Sequence, residues 1–360
     1  MTMIESYAPG RAELLGNHTD YNGGLVLSMA LGCGTRIRGT KREDDLIRLN
    51  AVNLSDQAEG TLAALAPSTD KPWANYVFGV VARLRDLGCS LGGADLEISS
   101  TLPLGAGLSS SASLEIATAV WFKKAYPFDL GDLALAQTAQ WAEHHYAGVR
   151  CGLLDQISVL MSREGCVTHI DCRSLEVETI PVPGQAAFVL VNSGVKHALV
   201  DGEYNQRRAA CESIAAALGV ELLRDVSEAD LDAAQDRLDP IALRRARHIV
   251  GENRRVREGR TALEAGDLGR LGSIMFESHQ SSREHFENSC PELDLLVDLA
   301  AACEGCYGAR LSGGGFGGAT INLVEAAAAE RFASEVAAHY QARTGLTAQT
   351  LISVAAGGAR

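Results

Sequence analysis

The chain has 360 residues, 46% hydrophobic and 21% charged, the composition of a soluble globular protein with one large or two medium domains. Its 32 basic and 45 acidic residues leave a formal charge of −13, which argues against nucleic acid and anionic membranes as partners. Nine cysteines without framework spacing predict reduced thiols in the cytoplasm, and no apolar run reaches the ~18 residues a spanning helix needs.

In chain order, APGRAELLGNHTDYNGG sets Arg11 after a Pro-Gly turn and ahead of a run of short polar side chains, Asn17, His18, Asp20, Tyr21 and Asn22. That run reads equally as a loop or as a sugar site, which needs several convergent donors and acceptors. PSTDKPW then precedes a helix with Trp73, Tyr76, Val77, Val80, Leu84 and Leu87 on one face. Next, Ala94, Leu96 and Ile98 alternate with Asp95, Glu97 and Ser99, the period of a half-buried strand. Helix-like stretches over 112–125 and 132–147 follow, then GVRCGLLDQISVLM, and IDCRSLEVETIPVP ends in prolines that predict a domain boundary near 181. Beyond it AAFVLVNSG reads as a buried strand and 205–300 as mostly helical. The basic run RRARHIVGENRRVREGR reads as a solvated helix surface. A glycine turn in ARLSGGGFGGATINLV joins two strand-like runs, and the mixture without a regular βαβ rhythm predicts an α+β fold.

The strongest chemical signal is LPLGAGLSSSASLEIA, residues 102–117. Gly105 and Gly107 let the main chain approach a phosphate, and the helix that follows aims free N–H groups at it. The order strand, glycine turn, serines, helix is the context a nucleotide-phosphate loop requires. No GxxxxGK[ST] occurs, so a metal and residues elsewhere must balance the charge. Gly313, Gly315 and Gly318 match GxGxxG, but a strand-like run follows them, and close approach to another loop or a ligand is the better reading. Glu143 falls on an apolar stripe with Ala136, Ala139, Ala142 and Tyr146, costly for a carboxylate unless it is paired or holds a metal. Near a phosphate loop, Mg2+ ligation is the better hypothesis. Asp155 by itself reads as a helix cap.

Three of these motifs, in this order, look like the GHMP small-molecule kinases, and within them the galactokinases. APGRAELLGNHTDYNGGLVL resembles their N-terminal signature, LPLGAGLSSSASLEIA their ATP-phosphate loop and LSGGGFGGATINL their third motif. WANYVFG, CGLLDQISVLM, DCRSLE, EYNQRR and SCPELD extend the similarity over nearly the whole chain. The resemblance implies a two-domain α+β fold, a ribosomal-S5-like unit over 1–180 and a ferredoxin-like unit over 181–360, with the active site between them. It implies transfer of a phosphoryl group from ATP, with Mg2+, to the anomeric hydroxyl of a galactose-type sugar by a cytoplasmic monomer. Asp155 matches the catalytic carboxylate and Arg11 its charge stabiliser; Ser111 and Glu143 match magnesium ligands. Gly105, Ala106, Gly107, Leu108, Ser109, Ser110, Ser111 and Trp73 match the ATP site, and Asn17, His18, Asp20, Gly152 and Tyr204 the sugar site. Asn17 departs from the family's glutamate, which contacts the C6 hydroxyl. The change keeps open galactose, a C6-altered galactose such as galacturonate, and a catalytically silent sensor. Ala12-Glu13 replaces a common valine-asparagine and is expected to matter little unless Glu13 faces the cleft.

Overall fold

The computed structural model describes residues 2–103, 107–196 and 200–360. The first half runs β1 (Ile4–Leu15), β2 (Leu25–Lys41), β3 (Leu46–Ala51), β4 (Asp56–Thr61), α1 (Asn75–Asp86), β5 (Ala94–Ser100), α2 (Ser110–Ala125), α3 (Asp132–Ala142), α4 (Leu154–Met161), β6 (Cys166–Asp171) and β7 (Glu176–Pro181). The second runs β8 (Ala186–Lys196), α5 (Val200–Leu218), α6 (Glu228–Ala233), α7 (Pro240–Glu264), α8 (Leu268–Ser281), α9 (Pro291–Ala302), β9 (Cys306–Ser312), β10 (Gly317–Glu325), α10 (Ala329–Thr344) and β11 (Gln349–Ser353).

Two sheets carry the architecture. The first has the order β4-β3-β5-β2-β6-β7 with β1 paired to β2; the second is β11-β8-β10-β9. The β3–β5 pair is parallel and its neighbours are antiparallel. Strands change sheet between Pro181 and Ala186, yet the cores do not separate there. Leu14, Leu27 and Met29 pack in one cluster with Phe188, Leu190, Met275 and Ile321. The chain after β11 returns to the first sheet, where Ala356 bridges Ala30 and the main chains of Tyr7 and Arg360 exchange hydrogen bonds.

Local patterns explain most elements. Ala94, Leu96 and Ile98 of β5 are buried while Glu97 faces out, as the alternation predicts. α2 is apolar on nearly every side and is buried accordingly, from Ala112 through Ile116 and Ala119 to Trp121 and Phe122. In α1 the predicted face holds for Val77, Val80 and Leu84, but Leu87 is 43% exposed because the helix stops at Asp86 and the chain turns at Gly88. The helix expected over 132–147 stays regular only to Ala142; residues 143–147 widen into a π turn closed by Gly148 at φ 77°. The basic run in α7 is not a uniform solvated face. Arg247 and Arg254 stay on the surface, while the helical period turns His248, Glu252, Asn253 and Arg255 inward.

Candidate active site

β1 builds the floor of the site. Its register against β2 slips between Pro9 and Arg11 and again between Glu13 and Leu15, and such bulges re-aim side chains. Gly10 lets the strand lie on the end of the phosphate loop, since a Cβ there would stand 2.8 Å from the Leu108 carbonyl oxygen. The Arg11 main-chain N–H accordingly donates to that carbonyl at 3.2 Å.

Arg11 is buried and bridges two distant parts of the chain. Its Nε donates to Asp155 Oδ1 at 2.7 Å and its Nη1 to the Gly107 carbonyl at 2.7 Å. The other carboxylate oxygen, Oδ2, accepts from Ser109 Oγ at 2.5 Å. Asp155 sits in the first turn of α4 without capping it, so the capping reading gives way to a carboxylate clamped between a guanidinium and the serine that opens α2. Gly107 and Ser109 both take the left-handed backbone, φ 69° and 56°, which turns the loop into that helix. A Cβ on Gly313 would stand 2.9 Å from the Gly107 carbonyl oxygen, so the two glycine runs meet, as the sequence predicts. Gly105 and Ala106 lie outside the described residues.

A cleft runs over Gly107, Leu108, Ser109, Ser110 and Ser111 to Glu143 and Asp155. Ser110 and Ser111 also border an apolar hollow formed by Leu54, Trp73, Tyr76, Ile98 and Leu114, a shape suited to a flat heterocycle beside a phosphate loop. Glu143 is buried at the start of the π turn. It accepts from Gln156 Nε2 at 2.9 Å and Cys151 Sγ at 3.3 Å, and Ser111 donates a further hydrogen bond. Burial, with the charge of Asp155, raises its pKa to about 7. Glu115, buried behind it, is pushed upward by burial and by Glu143. One carboxylate and one hydroxyl in a place where negative charge is disfavoured fit a magnesium ion that takes its other oxygens from phosphates and water. Among the described residues no group of three or more His, Cys, Asp or Glu forms a metal cage.

On the other side of Asp155 a second hollow is lined by Glu13, Asn17, His18, Asp20, Cys151, Tyr204 and Gly313. Gly152 runs against Asp20, where any Cβ would collide with the carboxylate. Burial, then Asp155, raises the Asp20 pKa to about 7. His18 is pushed down to about 4 by burial, so it is neutral; its Nε2–H faces the Gly314 carbonyl at 3.0 Å and its Nδ1 accepts from the Tyr21 hydroxyl at 2.7 Å. Both ring nitrogens are therefore engaged within the protein. The Tyr204 ring lies 5.1 Å from that imidazole.

Several supporting residues escaped the sequence reading. Glu252 accepts the main-chain N–H groups of Gly16 and Asn17 at 2.9 and 2.8 Å and pairs with Arg255 at 2.5 Å. Against the upward push of burial, Arg255 and His248 hold its carboxyl well below the usual range. Arg310, fully buried, reaches Glu13 Oε1 at 2.8 Å, and Glu13 lines the second hollow, so it is not incidental. The available signal was a charge of opposite sign beside apolar residues in each of two strand runs, Glu13 in AELL and Arg310 in ARLS.

The same chain matches three family models. These are the GHMP kinases N terminal domain over residues 75–163, the GHMP kinases C terminal domain over 260–342 and the galactokinase galactose-binding signature over 4–41. It is 44% identical to a galactokinase of Chloroflexus aggregans over 98% of this chain and 91% of the relative. It is 45% identical to the galactokinase of Homo sapiens with the same coverage. Its fold is similar to a Lactococcus lactis galactokinase crystallised with galactose, with a TM-score of 0.95 at 32% identity, covering 99% of this chain and 95% of that one.

Proposed function

From the premise that the chain belongs to the galactokinase family of the GHMP kinases, and so is an ATP-dependent galactose 1-kinase, we propose which of its residues perform the transfer. The observation that carries the assignment is the 2.7 Å contact between Arg11 and Asp155, at the wall shared by the loop-side cleft and the sugar-side hollow. Asp155 orients the anomeric hydroxyl and receives its proton as the oxygen attacks the terminal phosphoryl group. Arg11 fixes that carboxylate and stabilises charge on the transferring group, the kind of positioning and electrostatics that phosphoryl transfer needs above all.

Gly107 to Ser111 cradle the phosphates through main-chain N–H groups and the N-terminus of α2, and Trp73 borders the base. Ser111 and Glu143 would hold a Mg2+ ion; when bound it neutralises charge on the phosphate oxygens. Asn17, His18, Asp20, Gly152 and Tyr204 shape the sugar site, with His18 held in place through both ring nitrogens. We take 1–180 and 181–360 as the two units that meet at this site. We read the protein as a monomer of the cytoplasm, with no nucleic-acid or membrane partner. Nine free cysteines support the compartment, and among the described residues no helix is long and apolar enough to cross a membrane.

The relatives favour galactose over a C6-altered sugar or a silent sensor. The test is ADP release with ATP, Mg2+ and galactose, with the product identified by mass and NMR. Galactose-dependent ADP and a sugar phosphorylated at C1 are expected; ADP release that ignores the sugar contradicts the assignment.

A further inference from the structure

We propose that Glu13 is a specificity-determining residue: its carboxylate accepts a hydrogen bond from a galactose hydroxyl and turns away sugars that carry an acid at that position, while Asn17 positions it. The inference rests on the kinase reading of the same hollow. Glu13 is 2% exposed and lines that hollow with His18, Asp20 and Asp155. Its Oε1 accepts from Arg310 Nη1 at 2.8 Å and from Asn17 Nδ2 at 3.2 Å, whereas Oε2 holds only the longer 3.4 Å contact to that same amide. A carboxylate has about four lone-pair positions, so Oε2 keeps acceptor capacity for a hydroxyl in that hollow.

Asn17 has none to offer. Its amide nitrogen donates to the Gly313 carbonyl at 2.8 Å as well as to Glu13, and its amide oxygen accepts from Asn288 Nδ2 at 2.8 Å and from the Ser282 hydroxyl at 3.5 Å. Its main-chain N–H is held by Glu252 at 2.8 Å and its carbonyl faces His248 Nε2 at 3.2 Å. The side chain is fixed at both ends and serves as a strut against Glu13. From the sequence, the asparagine here kept open galactose and a C6-altered galactose such as galacturonate; the geometry supplies the missing acceptor from residue 13. A uronate in this hollow would face Glu13, Asp20 and Asp155 with Arg11 and Arg310 already engaged by carboxylates.

The test compares wild type, Glu13→Gln and Glu13→Asp for kcat and KM on galactose, each monodeoxygalactose and galacturonate, with calorimetric affinities for the same sugars. Wild type should reject galacturonate. Glu13→Gln should raise KM for galactose roughly tenfold to a hundredfold, as loss of a charged hydrogen bond implies, with kcat changed only a few-fold. One monodeoxy sugar should then bind that variant as well as galactose does, and galacturonate should gain on galactose. Glu13→Asp should fall between. The same ranking of sugars in wild type and Glu13→Gln overturns the proposal. Asn17→Ala, which leaves the Glu13–Arg310 pair in place, serves if Glu13→Gln does not fold: a raised KM and a blurred ranking are expected, and an unchanged ranking overturns it. Affinities are read without turnover, so wild type that binds galactose but releases no ADP counts against the kinase reading alone.

Discussion

Arg11 and Asp155 lie 144 residues apart, and each has an ordinary local explanation, one after a turn and one in a first helical turn. Only motif order joined them in the sequence. Glu13 shows where that reading stops: burial of a charge depends on a partner, and its partner Arg310 stands 297 residues away. Glu143 gives a pH prediction. Its pKa of about 7 in the folded protein exceeds the ordinary 4.5, so if Glu143 holds the cation as proposed, binding near pH 6.5 displaces a proton from it. Magnesium-nucleotide binding at pH 6.5 should release roughly one proton, and little at pH 8.5, by calorimetry in buffers of different ionisation enthalpy. Glu143→Gln should abolish the release. In the absence of cation this group favours folding below pH 4.5 and loses that contribution as pH rises through about 7. Ser111→Ala should raise the Mg2+ concentration needed for half-maximal turnover several-fold while leaving galactose affinity near wild type. Equal losses in both would make the serine structural.

At the scale of elements, periodicity was sufficient wherever one face meets a core, as in β5 and α1, and failed where a charged helix turns a polar face inward. α7 is the clear case. Its arginines dominate the composition, yet the functional fraction is the inward row of His248, Glu252 and Arg255, which no counting of charge separates from Arg247 and Arg254. The π turn at 143–147 was equally invisible, because one extra residue per turn leaves no mark on hydropathy. Glu252 ties α7 to the loop after β1. Glu252→Ala would leave Arg255 buried and uncompensated and the Gly16 and Asn17 N–H groups without their acceptor. A loss of about 3–5 kcal/mol by denaturant unfolding is expected, with a raised KM for the sugar. A change within ~0.5 kcal/mol would mean the network is dispensable.

For the molecule as a whole, the α+β class was legible, because strands and helices alternate along the chain without a regular βαβ rhythm. The shared core was not, since only packing brings Leu14 and Leu27 against Phe188 and Met275. That core predicts one cooperative calorimetric transition, shifted upward by nucleotide and sugar together. Two resolved transitions would mean that the halves fold independently. The account as a whole stands on a carboxylate that touches the reacting hydroxyl. Its most direct test is single-turnover phosphorylation of galactose by Asp155→Asn, with nucleotide and sugar affinities measured on the same preparation. Retained affinities with a transfer rate lowered roughly a thousandfold or more are expected; a transfer rate near wild type would contradict it.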